Sequence, residues 1–307
     1  MRVFVAGATG VIGRALVPKL MAAGHEVTGM TRSDERAAAL RNAGAGAVVA
    51  DALDADAVQR ALADSRPEVV VHQLTSLPAS PDFKDEDSFE PTNRLRSEGT
   101  RILVDAALAA GARRMVAQSI AFQYEPAGDW VKGEDAESMR GTGGFGSVMR
   151  AIGDLERAVT GTKGLEGLVL RYGFFYGPGS SYAADGAMAD EVRKRRFPIV
   201  GKGTGVFSFV HVDDAADATV AAVERGAPGV YNISDDEPAP MREWLPRYAE
   251  ALGAKKPMRI PAFVARLAAG RQAVAFATDM RGASNAKAKR ELGWTPGRPS
   301  WRAGFRE

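Results

Sequence analysis

The sequence predicts an α/β fold with a doubly wound parallel sheet. Short runs rich in β-branched residues alternate with longer amphipathic segments, which is typical of repeated strand–helix–strand units. Several of the amphipathic segments are followed by a glycine, the residue that commonly ends a helix. The pattern places strands at 3–6, 27–30, 47–49, 68–72, 115–119 and 168–172, and helices at 11–23, 34–42, 55–63, 93–110 and 145–159.

The pattern changes after residue 175, where proline and glycine become frequent. A further strand, helix and strand within about 207–233 have the pattern needed to rejoin the sheet. We therefore expect a sheet domain of residues 1–175, completed by about 207–233. A smaller C-terminal cap is expected from residues 176–206 and 234–307.

The composition excludes several classes of site. The chain has 307 residues, of which 45% are hydrophobic, so it can bury a large core. A net charge of +2 is too small to indicate a nucleic-acid partner. No cysteine is present, which excludes disulfides and thiol nucleophiles, and the three histidines lie far apart. We expect no metal site.

The hydrophobic segments are too short for a membrane partner. No apolar run reaches the roughly 20 residues that a spanning helix needs, and the N-terminus has the pattern of a first strand and lacks a secretory signal. These features predict a cytoplasmic protein.

A glycine-rich turn from Gly7 to Gly13 links the first strand to the first helix. Gly7 permits a tight turn, Gly10 allows a ligand to approach the backbone, and Gly13 allows the helix to pack closely on the strand. The free N–H groups of the first helical turn then face an anion. An ordinary glycine turn is the alternative, but the flanking strand and helix favour a dinucleotide site. Its predicted residues are Gly7, Thr9, Gly10, Val11, Ile12 and Gly13.

The end of the second strand bears on the choice of dinucleotide. An acidic residue there would pair with the ribose 2′-hydroxyl of NAD, whereas an arginine suits the 2′-phosphate of NADP. Arg32 offers a planar fork of donors and Ser33 a hydroxyl. The alternative is a solvent-facing Arg32 beside a Ser33 that caps the next helix. We expect NADP, and NAD stays an alternative because Asp34 lies close by.

Further motifs follow in a characteristic order. They are 51–54 (DALD), 70–72 (VVH), Asn93, 170–179 (LRYGFFYGPG), 209–214 (FVHVDD), 231–232 (YN) and 291–294 (ELGW). With the glycine-rich turn, they make the chain resemble the extended and atypical short-chain dehydrogenase/reductases, the NAD(P)-dependent epimerase/dehydratase family. The resemblance covers nearly the whole length and implies a Rossmann fold whose cap binds the substrate.

The resemblance also implies cofactor contacts beyond the first turn. Asp51 would meet the adenine amine, and Ala52, Gln73, Asn93 and Tyr172 would complete the site. Members of the family often form homodimers through two helices of each copy. The corresponding helices here are those near 93–110 and 145–159.

The usual catalytic pair of the family does not appear in the sequence. The family uses a tyrosine, a lysine four residues later, and a serine or threonine. Aligning Glu156 with the family's helix glutamate puts Val148 at the tyrosine position and Ile152 at the lysine position. No other register helps, because no tyrosine lies between Tyr124 and Tyr172 and no lysine between Lys132 and Lys163.

Two residues at the end of the fifth strand and in the loop that follows it are candidates to replace the pair. Ser119 lies where the family has its polarising hydroxyl. Tyr124 follows in the loop that would cover the nicotinamide and could donate a proton, although an aromatic ring packed under the loop is an equal alternative. Ser119 and Tyr124 are the predicted catalytic residues.

The expected substrate is a small, largely apolar molecule. The segments predicted to line its pocket are mostly aromatic and apolar, namely 77–83, 124–130, Phe174, Phe175, Tyr182 and Met188. The leading hypothesis is an NADP(H)-dependent oxidoreductase that reduces a C=O, C=N or activated C=C bond. A nucleotide-sugar epimerase or dehydratase is one alternative, and a non-catalytic NADP-binding sensor or scaffold is another.

Overall fold

The computed structural model describes residues 1–77, 86–140 and 145–306. The strands are β1 (Arg2–Ala6), β2 (Glu26–Thr31), β3 (Gly46–Val49), β4 (Val69–His72), β5 (Arg114–Ile120), β6 (Val131–Lys132), β7 (Glu166–Tyr172), β8 (Phe174–Tyr176), β9 (Ile199–Val200), β10 (Val206–Phe207), β11 (Phe209–His211), β12 (Gly229–Ile233), β13 (Ala239–Pro240), β14 (Arg259–Ile260) and β15 (Gly282–Ala283). The helices are α1 (Val11–Ala22), α2 (Asp34–Asn42), α3 (Ala55–Ser65), α4 (Glu90–Arg94), α5 (Thr100–Ala109), α6 (Gly146–Gly161), α7 (Ala187–Arg193), α8 (Val212–Glu224), α9 (Met241–Ala251), α10 (Ala262–Thr278), α11 (Ala286–Leu292) and α12 (Trp301–Gly304).

A seven-stranded parallel sheet runs through the first part of the chain, in the order β12-β7-β5-β4-β1-β2-β3. His72 is aligned with Ala6 of β1 and with Ala117 of β5, and Ser119 is aligned with Arg171 of β7. The carboxyl ends of these strands therefore meet at one edge, where ligands bind in open α/β sheets.

Helices cover both faces of this sheet. Leu16 and Leu20 of α1 pack with α8 on one face, and Leu62 of α3, Leu103 of α5 and Leu155 of α6 pack on the other. Strands buried on both faces read as nearly continuous apolar runs, such as Val69–Val71 in β4. The predicted doubly wound Rossmann fold is confirmed.

The first strand predicted within 207–233 was expected to rejoin the central sheet, but it does not. It divides at Ser208, so that β10 pairs with β13 and β11 pairs with β8. The Ser208 carbonyl accepts from the N–H of Phe174, and its hydroxyl accepts from the N–H of Ala283. Hydrogen bonds to two separate segments thus break the strand, and β12 alone of this region extends the sheet.

A separate aromatic core lies beyond the sheet. Phe207, Phe209, Trp244, Tyr248 and Trp301 are buried in it. Three residues predicted to line the substrate pocket also belong to it, namely Phe174, Tyr182 and Met188, and Phe174 packs against the edge of the Tyr182 ring. Residues 78–83 of that prediction lie outside the described residues. The proposed division into 1–175 with about 207–233, against 176–206 and 234–307, stays a prediction.

The helix predicted at 93–110 is interrupted by an unusual turn. Between α4 and α5, Leu95–Gly99 form a π-helical turn, with helical backbone angles at Arg94 and Thr100 on either side. Such turns occur mostly as single insertions in α-helices, frequently at functional sites.

None of the helices within the described ranges has the length and apolar character that crossing a bilayer requires.

Candidate active site at the carboxyl edge of the sheet

The glycine-rich turn has the geometry of a dinucleotide cradle. Gly7 adopts φ +89°, and a Cβ there would lie 2.7 Å from the Gln73 carbonyl oxygen. A Cβ on Gly13 would lie 2.3 Å from the Gly7 carbonyl oxygen. Gly10 differs, because a Cβ there would meet only the Gly7 oxygen at 3.4 Å. Gly7 and Gly13 are thus required by the fold, and Gly10 leaves space for a ligand.

The N-terminus of α1 is open to an anion. Gly10 is its N-cap and makes no side-chain capping hydrogen bond, and the first turn carries no acidic residue. Arg14 Nε donates to the Thr9 carbonyl oxygen at 3.0 Å and so fixes the loop. Val11 is exposed, whereas Ile12 is buried in the core. These residues fit the pyrophosphate of a dinucleotide, which backbone N–H groups and the helix dipole would hold.

Arg32 and Ser33 lie at the end of β2 as predicted, but Ser33 caps a helix whereas Arg32 faces solvent. Ser33 Oγ accepts from the N–H of Arg36 at 3.3 Å and caps α2. Arg32 is exposed and forms no hydrogen bond or ion pair with any described residue. The guanidinium is therefore available to a 2′-phosphate, while the Ser33 hydroxyl serves mainly the helix. Asp34 lies in the first turn of α2 and is exposed.

The turn after β3 is shaped by Asp51. Its carboxylate accepts from the N–H of Leu53 at 2.9 Å while the side chain stays exposed, and Ala52 is buried. Asp51 can therefore present its second carboxylate oxygen to a ligand.

The Tyr172 hydroxyl forms hydrogen bonds inside the protein, one of them with Gln73. Its hydroxyl accepts from Gln73 Nε2 at 3.2 Å and contacts Thr219 Oγ1 at 2.6 Å. Since the Thr219 hydroxyl donates to the Ala215 carbonyl, the Tyr172 proton goes to Thr219. Burial raises the pKa of Tyr172 to about 12. Tyr172 thus orients Gln73, whose buried Oε1 has no hydrogen-bond partner within the described part of the chain.

Further buried polar atoms lack a hydrogen-bond partner among the described residues. They include Oδ1 of Asn93 on α4 and Oγ of Ser147 in the first turn of α6. Buried polar groups are normally hydrogen-bonded, so atoms of this kind are candidates for contacts with a ligand.

A buried ion pair organises the ends of β5 and β7. Arg171 donates to Glu156 through Nε at 2.9 Å and through a terminal nitrogen at 2.6 Å. Burial alone would raise the pKa of Glu156, but the hydrogen bonds and charge of Arg171 hold that pKa below its ordinary value. The carboxylate in turn raises the pKa of Arg171 despite burial. Both groups are therefore charged.

Ser119 and Tyr124, the predicted catalytic residues, both belong to this network. Ser119 Oγ donates to Glu156 Oε1 at 2.7 Å. The Tyr124 hydroxyl donates to Asn232 Oδ1 at 2.6 Å and accepts from Arg171 at 3.1 Å. Burial raises the pKa of Tyr124, although the charge and hydrogen bond of Arg171 oppose that shift. Both hydroxyl protons are already donated inside the protein, and the catalytic roles stay predictions.

Val148 and Ile152, which the sequence aligns with the family's tyrosine and lysine, are both buried. They pack with Phe89, Ile120 and Met149 in a small apolar cluster. That hydrophobic residues replace the family's acid–base pair stays a prediction.

Some residues of this edge were missed in the sequence. Asn232 and Arg171 lie within motifs noted there, but nothing in the sequence indicated that Tyr124 joins them. Arg96, on the π-helical turn, gave no signal at all, although it is buried. Among the described residues, no group of three histidine, aspartate or glutamate side chains is placed to hold a metal ion.

Comparison with known proteins identifies the family. The model of the NAD dependent epimerase/dehydratase family matches residues 3–234. The chain belongs to this family. A 3-diazoavenalumate denitrifying reductase of Streptomyces sp is 50% identical over 307 residues, 99% of each chain. A 2-alkyl-3-oxoalkanoate reductase of Stenotrophomonas maltophilia is 29% identical, over 83% of this chain and 77% of that protein.

A solved structure agrees with the fold. A human epimerase family protein, determined with NADPH, superposes with a TM-score of 0.76 at 24% identity, covering 100% of this chain and 98% of that one. The family and its reductases confirm the predicted reaction class, an NAD(P)-dependent oxidoreductase acting on a small molecule. The preference for NADP, the homodimer and the cytoplasmic location stay predictions.

Proposed function

We propose that the protein is an NADPH-dependent reductase whose acceptor needs no proton from the enzyme. A diazo-substituted aromatic carboxylate is the first candidate substrate. The reductase of Streptomyces sp supports this choice, since its name specifies a diazo group, a carboxylate and loss of nitrogen. The ketone of a 3-oxoalkanoate, which would require a proton donor, is the competing candidate, supported by the relative from Stenotrophomonas maltophilia.

One observation carries the proposal. The hydroxyl of Ser119 is committed to Glu156 and that of Tyr124 to Asn232, while Val148 and Ile152 are apolar. A ketone becomes an alkoxide as it accepts a hydride and therefore needs a nearby acid. A diazonium ion already carries a positive charge and has no such need.

The residues of the cradle fit the cofactor. The N-terminus of α1 would hold the pyrophosphate, Arg32 the 2′-phosphate and Asp51 the adenine. The reduced nicotinamide supplies a hydride when it is bound. An arenediazonium ion that takes up this hydride at its terminal nitrogen forms an N–H bond and becomes a neutral aryl diazene. The diazene loses its N–H proton and N₂, and the ring carbon gains a proton, so that the arene is the product.

The epimerase or dehydratase alternative is less well supported. Those reactions begin by removing a proton from a sugar hydroxyl, which requires a base such as the family's tyrosine. In the described residues around β5 and α6, the one buried carboxylate, Glu156, is neutralised by Arg171. A nucleotide sugar would also call for convergent arginines at its diphosphate.

A substrate panel tests the proposal. Purified protein with NADPH receives 3-diazoniocinnamate, a 3-oxoalkanoate or UDP-glucose, and cofactor oxidation and products are measured. We expect cinnamate and N₂ from the diazonium compound, with a kcat/KM well above that for the ketone, and a protein-free mixture gives the background rate. Epimerisation of UDP-glucose would reject the proposal in favour of the epimerase. Tight NADPH binding without turnover of any compound would favour the sensor.

A homodimer through α4–α5 and α6 is also part of this proposal. These helices contact one another along one side of the sheet. Sedimentation of the purified protein gives the mass that tests the dimer.

A further inference from the structure

Arg96 is a buried cation without a partner in the described protein. It is 4% exposed and lies on the π-helical turn Leu95–Gly99. Its side chain donates no hydrogen bond, forms no ion pair and stacks on no aromatic ring among the described residues. Burial lowers its pKa to about 10, so that it remains charged at neutral pH.

The two other buried arginines of the described chain have polar partners, although Arg281 Nε has none among the described residues. Arg171 is paired with Glu156. Arg281 donates to the carbonyls of Asp279 and Pro126 and lies over the Trp130 ring. Burying a charge without compensation is costly, and proteins normally avoid it. Arg96 is therefore exceptional, and an anion from outside the chain would remove the cost.

The position of Arg96 is at the ligand-binding edge of the sheet. Thr100, one turn later, hydrogen-bonds His72 Nε2 at 3.1 Å, and His72 is the last residue of β4. Gly99, in the same π turn, lies against Ala52 and Leu53 in the turn after β3. The π-helical turn is thus held between the ends of β3 and β4.

His72 cannot serve as the counter-ion. Its Nδ1 accepts from the N–H of Leu74, which leaves Nε2 to donate to Thr100. Burial, with help from the charge of Arg96, lowers the pKa of His72 to about 4. The ring is therefore neutral at physiological pH.

A second open group lies one turn before Arg96. Asn93 is buried, and its Oδ1 accepts no hydrogen bond from any residue that the structure describes. Neither Asn93 Oδ1 nor the Arg96 guanidinium has a hydrogen-bond partner among the described residues, so both groups are open to a ligand.

The phosphates of the cofactor already have partners in the proposed arrangement, in the N-terminus of α1 and Arg32. The two reductases compared above both bear names of carboxylate substrates. Guanidinium groups bind carboxylates through two parallel N–H···O bonds. Resting on the proposed function, we infer that Arg96 binds the carboxylate of the substrate and selects acids over neutral molecules.

Binding measurements test this inference without turnover. Protein loaded with NADP⁺ is titrated with cinnamate and with methyl cinnamate, its neutral ester, by calorimetry. Arg96→Met should weaken cinnamate binding by about 10- to 100-fold, the range for a lost charge-assisted hydrogen bond. Binding of the ester and of NADPH should change less than about threefold. Arg96→Lys should keep part of the preference for the acid.

A matched control and a stability measurement complete the test. Arg94→Met removes an exposed arginine on the same helix, which pairs with Glu98, and should leave cinnamate binding unchanged.

Without ligand, Arg96→Met should raise the melting temperature, since it removes an uncompensated charge. Equal losses for acid and ester, or a lower melting temperature, would show a structural role and overturn the inference. A comparable loss of NADPH affinity would assign Arg96 to a cofactor phosphate and overturn it too. Failure of diazonium turnover with acid selectivity intact would reject only the proposed function.

Discussion

The Tyr124 hydroxyl donates its proton to Asn232 Oδ1 across 2.6 Å, between residues 108 positions apart in the chain. Arg171 donates to the same hydroxyl, so that its hydrogen-bonding capacity is largely used. Burial raises the pKa of Tyr124. A phenol with a raised pKa, whose proton is already donated to another residue, is a poor acid. The proposed hydride acceptor is therefore one that needs no proton donor.

Tyr124→Phe should therefore affect folding more than chemistry. Removing the hydroxyl leaves the buried Asn232 Oδ1 without its donor, and we expect a loss of about 1–3 kcal/mol in the free energy of unfolding. Urea denaturation measures it. Tyr231→Phe is the control and should lose less, because the Tyr231 hydroxyl donates to the carbonyl of Ala227, an exposed residue that water can reach. Unchanged stability with abolished turnover would restore Tyr124 as the proton donor.

Glu156→Gln should be strongly destabilising. The substitution leaves Arg171 buried without its counter-charge, which costs about 3–5 kcal/mol. Glu98→Gln breaks the exposed pair with Arg94 and should cost about 0–1 kcal/mol. Comparable losses for the two variants in urea denaturation would contradict the buried ion pair.

The same carboxylate predicts a pH dependence. The folded pKa of Glu156 lies below its ordinary value of 4.5, so its stabilising contribution is fully present above pH 4.5. The contribution is lost as the pH falls from there through the folded pKa. Denaturation at successive acid pH values should show a smaller decline for Glu156→Gln than for the wild type. Parallel declines would mean that Arg171 does not lower the pKa of Glu156 in the folded protein.

Arg32→Ala should separate the two cofactors. Loss of a charge-assisted contact with the 2′-phosphate should weaken NADPH binding by about 10- to 100-fold. NADH binding should stay within about threefold, because NADH has no such phosphate. Arg60→Ala changes an exposed arginine on α3 and serves as the control. Fluorescence titration measures both constants, and equal losses for NADPH and NADH would contradict the NADP preference.

Gly10 and Gly13 should respond differently to alanine. A Cβ on Gly13 would overlap the Gly7 carbonyl at 2.3 Å, so Gly13→Ala should destabilise the fold. Gly10→Ala meets no close contact and should fold normally, yet obstruct the pyrophosphate and weaken NADPH binding at least about tenfold. Thermal unfolding with NADPH titration distinguishes them. Normal NADPH affinity in Gly10→Ala would argue against the cradle.

The sequence predicted the fold well because periodicity is a local property. Apolar runs such as Val69–Val71 and the glycines after α1 and α2 need no distant partner to be recognised. The break at Ser208 was missed, since it depends on hydrogen bonds to Phe174 and Ala283. Those partners become neighbours only in the folded chain.

The site was less predictable for the same reason. Ser119 and Tyr124 were found by their positions in β5 and in the loop after it, but their partners Glu156 and Asn232 come from α6 and β12. Arg96 was missed because the π-helical turn adds a residue to the helix and shifts its buried face. Regular helical spacing would not place it there.

The central claim is that reduction requires no proton from Ser119 or Tyr124. Its most direct test is the single-turnover rate of NADPH oxidation by 3-diazoniocinnamate in the wild type and in the double variant Ser119→Ala/Tyr124→Phe. The N₂ released is measured by gas mass spectrometry. At a temperature where both are folded, the account predicts one N₂ per NADPH in each and rates within about threefold. A rate at least about 100-fold lower in the folded double variant would contradict it.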